Sequence, residues 1–351
     1  MMGIRAYRHF AAVAVFGLLY LFGGVPASAT TFSGLYVFGD SLSDTGNYYL
    51  ASGGAAPISP PYSQGRFTNG NVWVQNLSSS LGLGPVTPSL AAGGGNDYAF
   101  GGAQSGTTLV HTQNSTDLPG QLTAFKSQVS APQPNALYTL WIGANDLNAL
   151  FGGLASGAIA PSNINADLSQ VIGNVNNFVS GLATAGMRNL LVLGLPDLSK
   201  TPDAVALANS TADPTALLAA IQQVTQQYNS ALSGSLAYLA SQDGFALTQI
   251  DTYRLLDQVG KNPGAYGLSN VTDSCWTGNL TDPNSGTVCS QPGKYLFWDG
   301  EHPTAAGHQI LANYVGSVMV PEPNSAGMLL TGILLLMLLA RISRRPAHPK
   351  A

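Results

Sequence analysis

The sequence has few charged residues, few cysteines and no run of like charges. Only 9% of its 351 residues are Asp, Glu, Lys or Arg, against roughly a quarter in a typical soluble protein. No basic stretch could follow a phosphate backbone, which argues against nucleic-acid binding. Two cysteines are too few for a disulfide-scaffold protein or for a zinc site of four thiolates. The 45% of apolar residues can bury a large core, and this excludes global disorder.

Residues 1–29 have the layout of a secretory signal peptide. Arg5 and Arg8 precede an apolar run of thirteen residues, Phe10–Phe22, and Ala27-Ser28-Ala29 follows as a small-residue cleavage pattern. The run is short for a membrane-spanning helix, which needs roughly 20 residues. We therefore predict that residues 1–29 are removed during export. The alternative is an uncleaved N-terminal anchor.

A second apolar segment lies near the C-terminus. Val320-Pro321-Glu322-Pro323 leads into fifteen mostly apolar residues, Ala326–Ala340, and Arg341, Arg344 and Arg345 follow. Arginines after an apolar helix hold that end on the cytoplasmic side of a membrane. The three parts together resemble the PEP-CTERM sorting signal of Gram-negative bacteria. For residues 320–351 the resemblance implies a short transmembrane helix, a transient anchor that an exosortase cuts near Pro-Glu-Pro. The alternative is a permanent tail anchor.

The part of the chain between these segments is acidic and carries both cysteines. Residues 30–320 hold seven Lys and Arg against sixteen Asp and Glu residues, a net charge of −9, which argues against anionic membrane surfaces as partners. Export would place Cys275 and Cys289 in an oxidising compartment. Because they lie fourteen positions apart in a Gly-, Asn- and Thr-rich segment, we expect one disulfide. Two free buried thiols are the alternative.

Apolar runs alternate with helical patterns through residues 30–319, with no internal repeat and no long linker. Five runs are candidate strands: Leu35–Phe38, Tyr98–Phe100, Ala136–Ile142, Asn189–Leu193 and Phe245–Ile250. Four helices are predicted between or after them, over Leu118–Val129, Ile164–Ala185, Pro214–Gln242 and Pro303–Val318. This alternation predicts a single α/β domain, a three-layer α/β/α sandwich around a parallel five-stranded sheet. Ligands of such sheets bind beyond the C-terminal ends of the strands.

A serine, an aspartate and a histidine in this domain could form a nucleophilic site. Ser41 follows the first strand directly, and Asp299 and His302 lie three residues apart just before the last helix. A hydroxyl nucleophile needs a base, and an imidazole base needs a carboxylate to fix its tautomer. Taken singly, the three residues are explained at least as well by a turn serine, a turn aspartate and a helix-capping histidine. His308, inside the predicted helix, is interpreted as a packing or surface residue, and His111 as a loop histidine without an acidic partner.

Acyl transfer also needs donors for the oxyanion that forms on the substrate. Gly101 and Gly102 follow the second candidate strand and could bring a backbone N–H close, since no Cβ blocks the approach. Asn145, after the third strand, offers a side-chain amide. Each of these residues could instead serve only as a turn residue.

Four ordered blocks in this chain resemble the GDSL esterases and lipases of the SGNH-hydrolase superfamily. They are Phe38-Gly-Asp-Ser-Leu-Ser-Asp-Thr-Gly-Asn47, Asn96-Asp-Tyr-Ala-Phe-Gly-Gly-Ala103, Gly143-Ala-Asn-Asp146 and Asp299-Gly-Glu-His-Pro-Thr304. Pro60-Pro-Tyr62, Gly65-Arg-Phe-Thr-Asn-Gly70 and Val72-Trp73 match a further stretch of that family. The resemblance implies a flavodoxin-like fold in which Ser41 is the nucleophile, His302 the base and Asp299 its orienter. It also implies oxyanion donors at Ser41, Gly102 and Asn145, with Gly101 as the alternative to Gly102.

The expected function is that of an exported hydrolase that cleaves carboxylic esters of lipids or other acyl groups through an acyl-enzyme. It needs no cofactor and no metal, although Asp40 and Asp44 beside Ser41 would be the partners of Asp299 and His302 in a metal site. We interpret Asp44 as a residue that shapes the loop after Ser41. Two alternatives remain open: a non-catalytic matrix or surface-binding protein on an esterase scaffold, and an esterase for acetylated polysaccharide.

The sequence leaves several properties open, among them the acyl length, the alcohol part of the ester and the oligomeric state. Aromatic residues that could line an acyl pocket are Tyr48, Tyr49, Tyr62, Phe67, Trp73, Trp276 and Trp298. Of these, Trp73 is expected to pack in the core. None of them is singled out as a specificity residue.

Overall fold

The computed structural model describes residues 32–319, together with residues 332, 333, 336 and 337. Residues 32–316 form one compact unit. The predicted signal peptide lies outside the described residues, and so does the sorting segment apart from the four residues just named. Both assignments therefore stay predictions. Within the described part of the chain, no helix is long and apolar enough to cross a membrane.

Four parallel strands form the central sheet. They are β1 (Leu35–Gly39), β2 (Leu137–Trp141), β3 (Asn189–Leu193) and β4 (Ala246–Ile250), and they lie side by side in this order. In the register, Leu35 lies opposite Leu137 and Asn189 opposite Ala246. Every residue of β2 is buried, as are the last four of β3, which explains why these strands are apolar along their whole length.

The prediction of a fifth sheet strand at Tyr98–Phe100 is wrong. This segment runs beside β1, where the Tyr98 amide donates to the Val37 carbonyl and the Phe100 amide to the Gly39 carbonyl. Only an isolated bridge between Val37 and Asp97 forms there, so the segment extends the hydrogen bonding of β1 without becoming a strand. It lies on the opposite side of β1 from β2, as the second strand does in flavodoxin-like sheets.

Helices cover the sheet and the loops at its C-terminal edge. The helices are α1 (Asn47–Ala51), α2 (Trp73–Ser80), α3 (Leu118–Gln128), α4 (Ala144–Ser156), α5 (Ile164–Ala185), α6 (Pro202–Asn209), α7 (Pro214–Asp243), α8 (Thr252–Lys261) and α9 (Ala305–Met319). Short 3₁₀ turns occupy Pro161–Asn163, Leu198–Lys200, Pro263–Tyr266 and Pro292–Lys294. The four predicted helices are present, and the last begins at Ala305 because Pro303 is still bridged to Phe297.

The two faces of the sheet have separate cores, which makes the three-layer sandwich. On one face, Phe38 of β1 packs edge-on against Phe125 of α3 and Phe178 of α5, with ring centroids 5.4 and 5.2 Å away. On the other face, Trp141 of β2 meets Trp73 of α2. Trp73 is fully buried, as expected from the sequence. Alternate residues of each strand therefore bury against opposite helix layers.

A small second sheet lies in the C-terminal part of the domain. Its strands β5 (Asn270–Ser274) and β6 (Tyr295–Phe297) run parallel. Cys275, directly after β5, is bonded to Cys289, which confirms the predicted disulfide. Cys275 is buried in a cluster with Tyr62, Trp276 and Trp298, so the cross-link is part of a packed core beneath the end of β6.

Candidate active site

The loop after β1 places Ser41 at the C-terminal edge of the sheet. The strand ends at Gly39, whose φ of +140° lies in the region that favours glycine. A Cβ at this position would collide with the backbone carbonyl of Trp141 in β2. The close approach of β1 and β2 at this point therefore requires glycine. The turn then exposes Ser41 to a cavity above the edge while leaving it mostly buried.

Ser41, His302 and Asp299 form a continuous hydrogen-bonded chain. His302 Nε2 lies 2.8 Å from Ser41 Oγ, and His302 Nδ1 lies 2.9 Å from both carboxylate oxygens of Asp299. All three residues are at least nine-tenths buried. The structure thus brings together two residues that are 261 positions apart. This is the geometry in which a base can take a proton from a serine hydroxyl.

A tight turn between β6 and α9 holds Asp299 and His302 in place. The Trp298 amide donates to the His302 carbonyl, at 2.7 Å, and closes the turn. The Asp299 carboxylate accepts hydrogen bonds from the backbone amides of Glu301 and His302. The three-residue spacing therefore lets the Asp299 carboxylate bind both the backbone amide and the ring of His302.

Tyr62 is a site residue whose role the sequence analysis missed. Its hydroxyl donates a hydrogen bond of 2.7 Å to Asp299 Oδ2, so Tyr62 supports the carboxylate and does not line an acyl pocket. Its ring packs edge-on against Trp298, in the cluster that contains Cys275. The signal that could have identified it is the Pro60-Pro61-Tyr62 match to the family pattern.

The charges of this group shift the pKa values of its members in opposite directions. Burial alone would raise the pKa of Asp299, but the charge of His302 and hydrogen bonds from His302 and Tyr62 outweigh it and lower that pKa. Burial alone would lower the pKa of His302, but Asp299 and, more weakly, Glu301 and Asp40 raise it to about 9. Asp299 is therefore a stable carboxylate that favours the imidazolium form of His302.

Three hydrogen-bond donors lie in the segments where an oxyanion site was expected. The amides of Ser41 and Gly102 have no acceptor among the described residues, and Gly102 is exposed. The amide of Gly101 donates to Asp44 Oδ2 at 2.8 Å, so it is already occupied and Gly102 is the better candidate. Asn145 is half-buried at the start of α4, and its Nδ2 donates to the Ala103 carbonyl at 3.0 Å. Because an amide nitrogen carries two hydrogens, one remains for a ligand.

Asp44 ties the loop of Ser41 to the loop of Gly102. Its fully buried carboxylate accepts the amides of Gly46, Asn47 and Tyr48 as well as that of Gly101. Burial raises the pKa of Asp44 to about 6 although these hydrogen bonds oppose the change. The interpretation of Asp44 as a loop-shaping residue is thus consistent with its contacts. Among residues 32–319, no group of three or more His, Cys, Asp or Glu side chains is placed to hold a metal ion.

The other two histidines in this part of the chain lie outside the Ser41 group. His308 is buried in α9, where its Nδ1 accepts the Trp73 amide at 3.2 Å, and burial lowers its pKa to about 3. It is therefore a neutral packing residue, as expected.

His111 does lie in a loop, but the expectation that it has no acidic partner is wrong. Its Nε2 lies 2.8 Å from Asp117 Oδ2. The Asp117 carboxylate, at the start of α3, also accepts the backbone amides of Gln104 and Asn114, and these hydrogen bonds hold the His111 loop against it.

The known proteins that are similar to this chain point to one family. The model of the family described as GDSL-like Lipase/Acylhydrolase matches residues 35–315. The chain belongs to this family. It is 29% identical over 315 residues to the phosphatidylcholine-sterol acyltransferase of Aeromonas hydrophila, covering 89% of this chain and 87% of that one. It is 26% identical over 327 residues to a GDSL esterase/lipase of Arabidopsis thaliana, with 84% and 91% covered.

Solved structures show a weaker similarity. The crystal structure of an extracellular lipase from Streptomyces rimosus is 17% identical, covers 82% of this chain and all of that one, and gives a TM-score of 0.39. At this score the similarity adds nothing to the assignment. The family match itself makes the chain a carboxylic ester hydrolase, a GDSL esterase or lipase.

A mainly apolar cavity opens beside Ser41 in this GDSL hydrolase. The centre of a water-sized molecule can occupy about 100 Å³ of it. Ser41, Asn145 and His302 line one part of it, and side chains of α8 and α9 line another. Of the aromatic residues proposed from the sequence as pocket residues, none lies in this cavity wall. Its walls come from loops after the strands and from α8, a helix that the sequence analysis did not predict.

Two acidic side chains, Glu301 and Asp40, line the cavity. Glu301 Oε1 lies 3.9 Å from His302 Nε2, and Glu301 Oε2 accepts a hydrogen bond of 2.9 Å from the exposed Asn148 of α4. Asp40 also lines the cavity, and burial raises its pKa to about 7. Its Oδ2 has no hydrogen-bond partner among the described residues. Among the described residues that line the cavity, His302 is thus the one side chain that can carry a positive charge, when it is protonated.

Proposed function

We propose that this GDSL hydrolase cleaves carboxylic esters by a two-step mechanism in which Ser41 becomes acylated. The observation that supports the proposal most strongly is the hydrogen-bonded chain from Ser41 Oγ through His302 to Asp299, with distances of 2.8 and 2.9 Å. Ser41 is the nucleophile, His302 the general base and acid, and Asp299 the group that orients His302. This assignment is independent of any cofactor.

In the first step, neutral His302 accepts the Ser41 proton at Nε2 while Oγ attacks the ester carbonyl. The negative charge moves to the carbonyl oxygen, where the amides of Ser41 and Gly102 and the side chain of Asn145 stabilise it. Asp299 stabilises the imidazolium and keeps Nδ1 protonated. His302 then gives the proton to the leaving alkoxide, the ester C–O bond breaks, and the alcohol departs.

The second step repeats the first with water as the nucleophile. His302 accepts a proton from a water molecule, whose oxygen attacks the acyl carbonyl, and the same three donors hold the oxyanion. When the intermediate collapses, Oγ of Ser41 takes the proton back from His302 and the carboxylic acid is released. The serine and histidine return to their starting states, so the site completes a catalytic cycle.

We further propose that the enzyme is exported and then released at the cell surface or into the extracellular matrix of a Gram-negative bacterium. Three features support this: the signal-peptide pattern of residues 1–29, the disulfide of Cys275 and Cys289, and the order of Pro-Glu-Pro, apolar segment and arginines in residues 320–351. Disulfides persist in oxidising compartments. An exosortase-type enzyme would be the processing partner, and the membrane anchor would be transient.

Two measurements test these proposals separately. Replacing Ser41 by Ala is expected to lower kcat for a short p-nitrophenyl ester by several orders of magnitude while the thermal unfolding transition is kept. Full activity in Ser41→Ala would remove Ser41 from the mechanism. For processing, the intact mass of the secreted product should lack residues 1–29 and Ala326–Ala340. Finding Ala326–Ala340 in a membrane-bound product would contradict cleavage.

A further inference from the structure

Glu301 is a carboxylate beside Ser41 that the proposed mechanism does not use. It lines the cavity, and its side chain is 35% exposed. One of its oxygens, Oε2, accepts a hydrogen bond of 2.9 Å from Asn148 Nδ2. The other, Oε1, lies 3.9 Å from His302 Nε2, which is too far for a hydrogen bond. One oxygen of Glu301 is therefore available to a ligand in the cavity.

The charges around Glu301 do not balance. Asp299 is paired with His302, and no Lys or Arg among residues 32–319 lines the cavity or forms an ion pair with Glu301. When His302 is protonated in the first step, the carboxylates of Asp299 and Glu301 still exceed it by one negative charge. A cation bound in the cavity would interact favourably with that charge.

Asp40 provides a second, independent sign of a cation site. It lines the same cavity and is only 1% exposed, and its Oδ2 has no hydrogen-bond partner among the described residues. Burial raises the pKa of Asp40 to about 7, and the charge of Glu301 adds to the increase, against the hydrogen bond from the Leu42 amide. Because buried polar atoms usually have partners, an unpartnered carboxyl oxygen near an unpaired carboxylate indicates a positively charged ligand.

The position of Glu301 relative to His302 shows which part of an ester its charge meets. His302 Nε2 gives its proton to the leaving oxygen at the end of the first step, so that oxygen must lie within hydrogen-bond distance of Nε2. Glu301 Oε1 lies 3.9 Å from the same nitrogen. It therefore lies beside the alcohol part of the ester, and a positive group two carbon atoms from the leaving oxygen would be within its reach.

A quaternary ammonium suits these surroundings better than a primary one. A primary ammonium has three N–H donors, whereas Glu301 has one oxygen that is not already hydrogen-bonded. Leu296 and Pro303, on either side of the turn that carries Glu301, line the same cavity and offer apolar contacts. A trimethylammonium group has no donor to satisfy and can place its methyl groups against such a wall, so its burial costs less.

We propose that Glu301 binds the cationic part of a choline-type alcohol, and that the enzyme therefore favours esters whose leaving alcohol carries a quaternary ammonium. In the first step the ester C–O bond breaks and choline leaves with the proton from His302, while the acyl group stays on Ser41 until water releases it. This inference rests on the proposed function, because it places the leaving oxygen at His302. It adds a substrate class for the alcohol part and one specificity-determining residue.

Two esters of the same shape test the charge alone. Butyrylcholine and 3,3-dimethylbutyl butanoate have the same acyl group, and they differ in a cationic nitrogen against a neutral carbon. Both use the same base, so the ratio of their kcat/KM values is insensitive to the effect of a variant on the pKa of His302. We expect Glu301→Gln to lower the ratio of the choline ester to its neutral analogue by at least about five-fold. An unchanged ratio would overturn the proposal, even if the pH profile shifts.

A matched charge change elsewhere serves as the control. Asp257→Asn also removes one negative charge, at an exposed position of α8 that pairs with Lys261 and lies outside the cavity wall. It should change the ratio by less than about two-fold. Raising NaCl from about 20 mM to about 500 mM should lower the wild-type ratio and affect Glu301→Gln less. Equal losses in the two variants would indicate the general field of an acidic protein and overturn a contact with Glu301.

A binding measurement tests the subsite without catalysis. In Ser41→Ala, choline should bind at least about five-fold more tightly than 3,3-dimethylbutan-1-ol in an NMR titration, and Glu301→Gln in the same background should remove the difference. Equal binding of the two alcohols in Ser41→Ala would overturn the proposal.

The outcomes separate this proposal from the mechanism. If Ser41→Ala inactivates the enzyme but the ratio does not respond to Glu301→Gln, the alcohol subsite is wrong and the mechanism stands. If Ser41→Ala stays active and the ratio still falls with Glu301→Gln, the mechanism is wrong and the subsite is supported.

Discussion

The Tyr62 hydroxyl donates a 2.7 Å hydrogen bond to Asp299 Oδ2, the carboxylate that faces His302. The two residues are 237 positions apart. Tyr62 lies in a cluster that also contains Trp298 and Cys275, so the orientation of Asp299 depends on the packing of a distant loop. Tyr62 thus connects the cluster around the disulfide to the active site.

Replacing Tyr62 by Phe removes this hydrogen bond and keeps the ring. We expect kcat to fall by roughly ten-fold with little change in KM, because the carboxylate that steadies His302 in the transition state loses a donor. Losing one of the hydrogen bonds to this buried carboxylate should also lower the free energy of unfolding by about 1–3 kcal/mol. Steady-state kinetics and urea denaturation measure both effects. Tyr238→Phe, at a position 65% exposed, is the control. A wild-type kcat in Tyr62→Phe would show that this hydrogen bond does not matter for catalysis.

The pH dependence of activity should follow His302. Because the pKa of His302 is raised from 6.5 to about 9, the neutral base accumulates only at high pH, and kcat/KM should rise as pH increases through about 9. The sign for stability is opposite: the shift stabilises the fold fully below pH 6.5, and this contribution is lost between pH 6.5 and about 9. A kcat/KM value that no longer rises above pH 7 would contradict a His302 base with a raised pKa.

Replacing Glu301 provides an independent test of the raised pKa of His302. Its carboxylate lies 3.9 Å from His302 Nε2, so Glu301→Gln should lower the pKa of His302. The rising limb of the kcat/KM profile should then move to lower pH by roughly half a unit, because solvent partly screens the pair. Asp257→Asn removes one negative charge on the exposed side of α8, where Asp257 pairs with Lys261, and should leave the limb in place. Equal shifts in the two variants would indicate a general charge effect and not a contact with His302.

Asn145 can be tested as an oxyanion donor. In Asn145→Ala we expect kcat to fall by about 10²–10³-fold with KM nearly unchanged, because the lost hydrogen bond is made mainly in the transition state. Asn165→Ala, at an exposed position in α5, serves as the matched control. A rise in KM at constant kcat would assign Asn145 to ground-state binding of the ester instead.

The disulfide should matter for stability. It closes a loop with a sequence separation of 14 residues, and its removal in Cys275→Ser/Cys289→Ser should lower the free energy of unfolding by about 3 kcal/mol. Reductant should destabilise the wild type to a similar extent and have no effect on the double variant. If reductant leaves the wild-type unfolding curve unchanged, the cross-link does not contribute to stability.

The apolar runs of the sequence were sufficient to predict the sheet, apart from its strand number. Runs such as Asn189–Leu193 are buried on both faces and are therefore continuous, which makes them easy to recognise. Tyr98–Phe100 is also apolar, but it only extends the hydrogen bonding of β1, next to an isolated bridge at Asp97. Strand β5, Asn270–Ser274, was missed because it is mostly polar and none of its residues is buried. Composition alone does not separate these cases.

The site residues that lie in short motifs were predictable from the sequence, and the other parts of the site were not. Ser41, Asp299 and His302 lie in motifs, and Ser41 follows β1 at the C-terminal edge of the central sheet, where ligands of such sheets bind. The contact between Tyr62 and Asp299 depends on tertiary packing across 237 positions, which no local pattern encodes. The cavity beside Ser41 depends on α8, Thr252–Lys261. Its Asp251 N-cap and its amphipathic pattern are signals that the prediction did not use.

The central claim is that Ser41 is an activated nucleophile that forms an acyl-enzyme. The most direct measurement is to treat the enzyme with a fluorophosphonate and to locate the added mass by peptide mapping. The account predicts one adduct per chain, on Ser41, and none in His302→Ala, because the hydroxyl is reactive only beside its base. An enzyme that hydrolyses esters but gives no adduct, or one that carries it on another residue, would contradict the account.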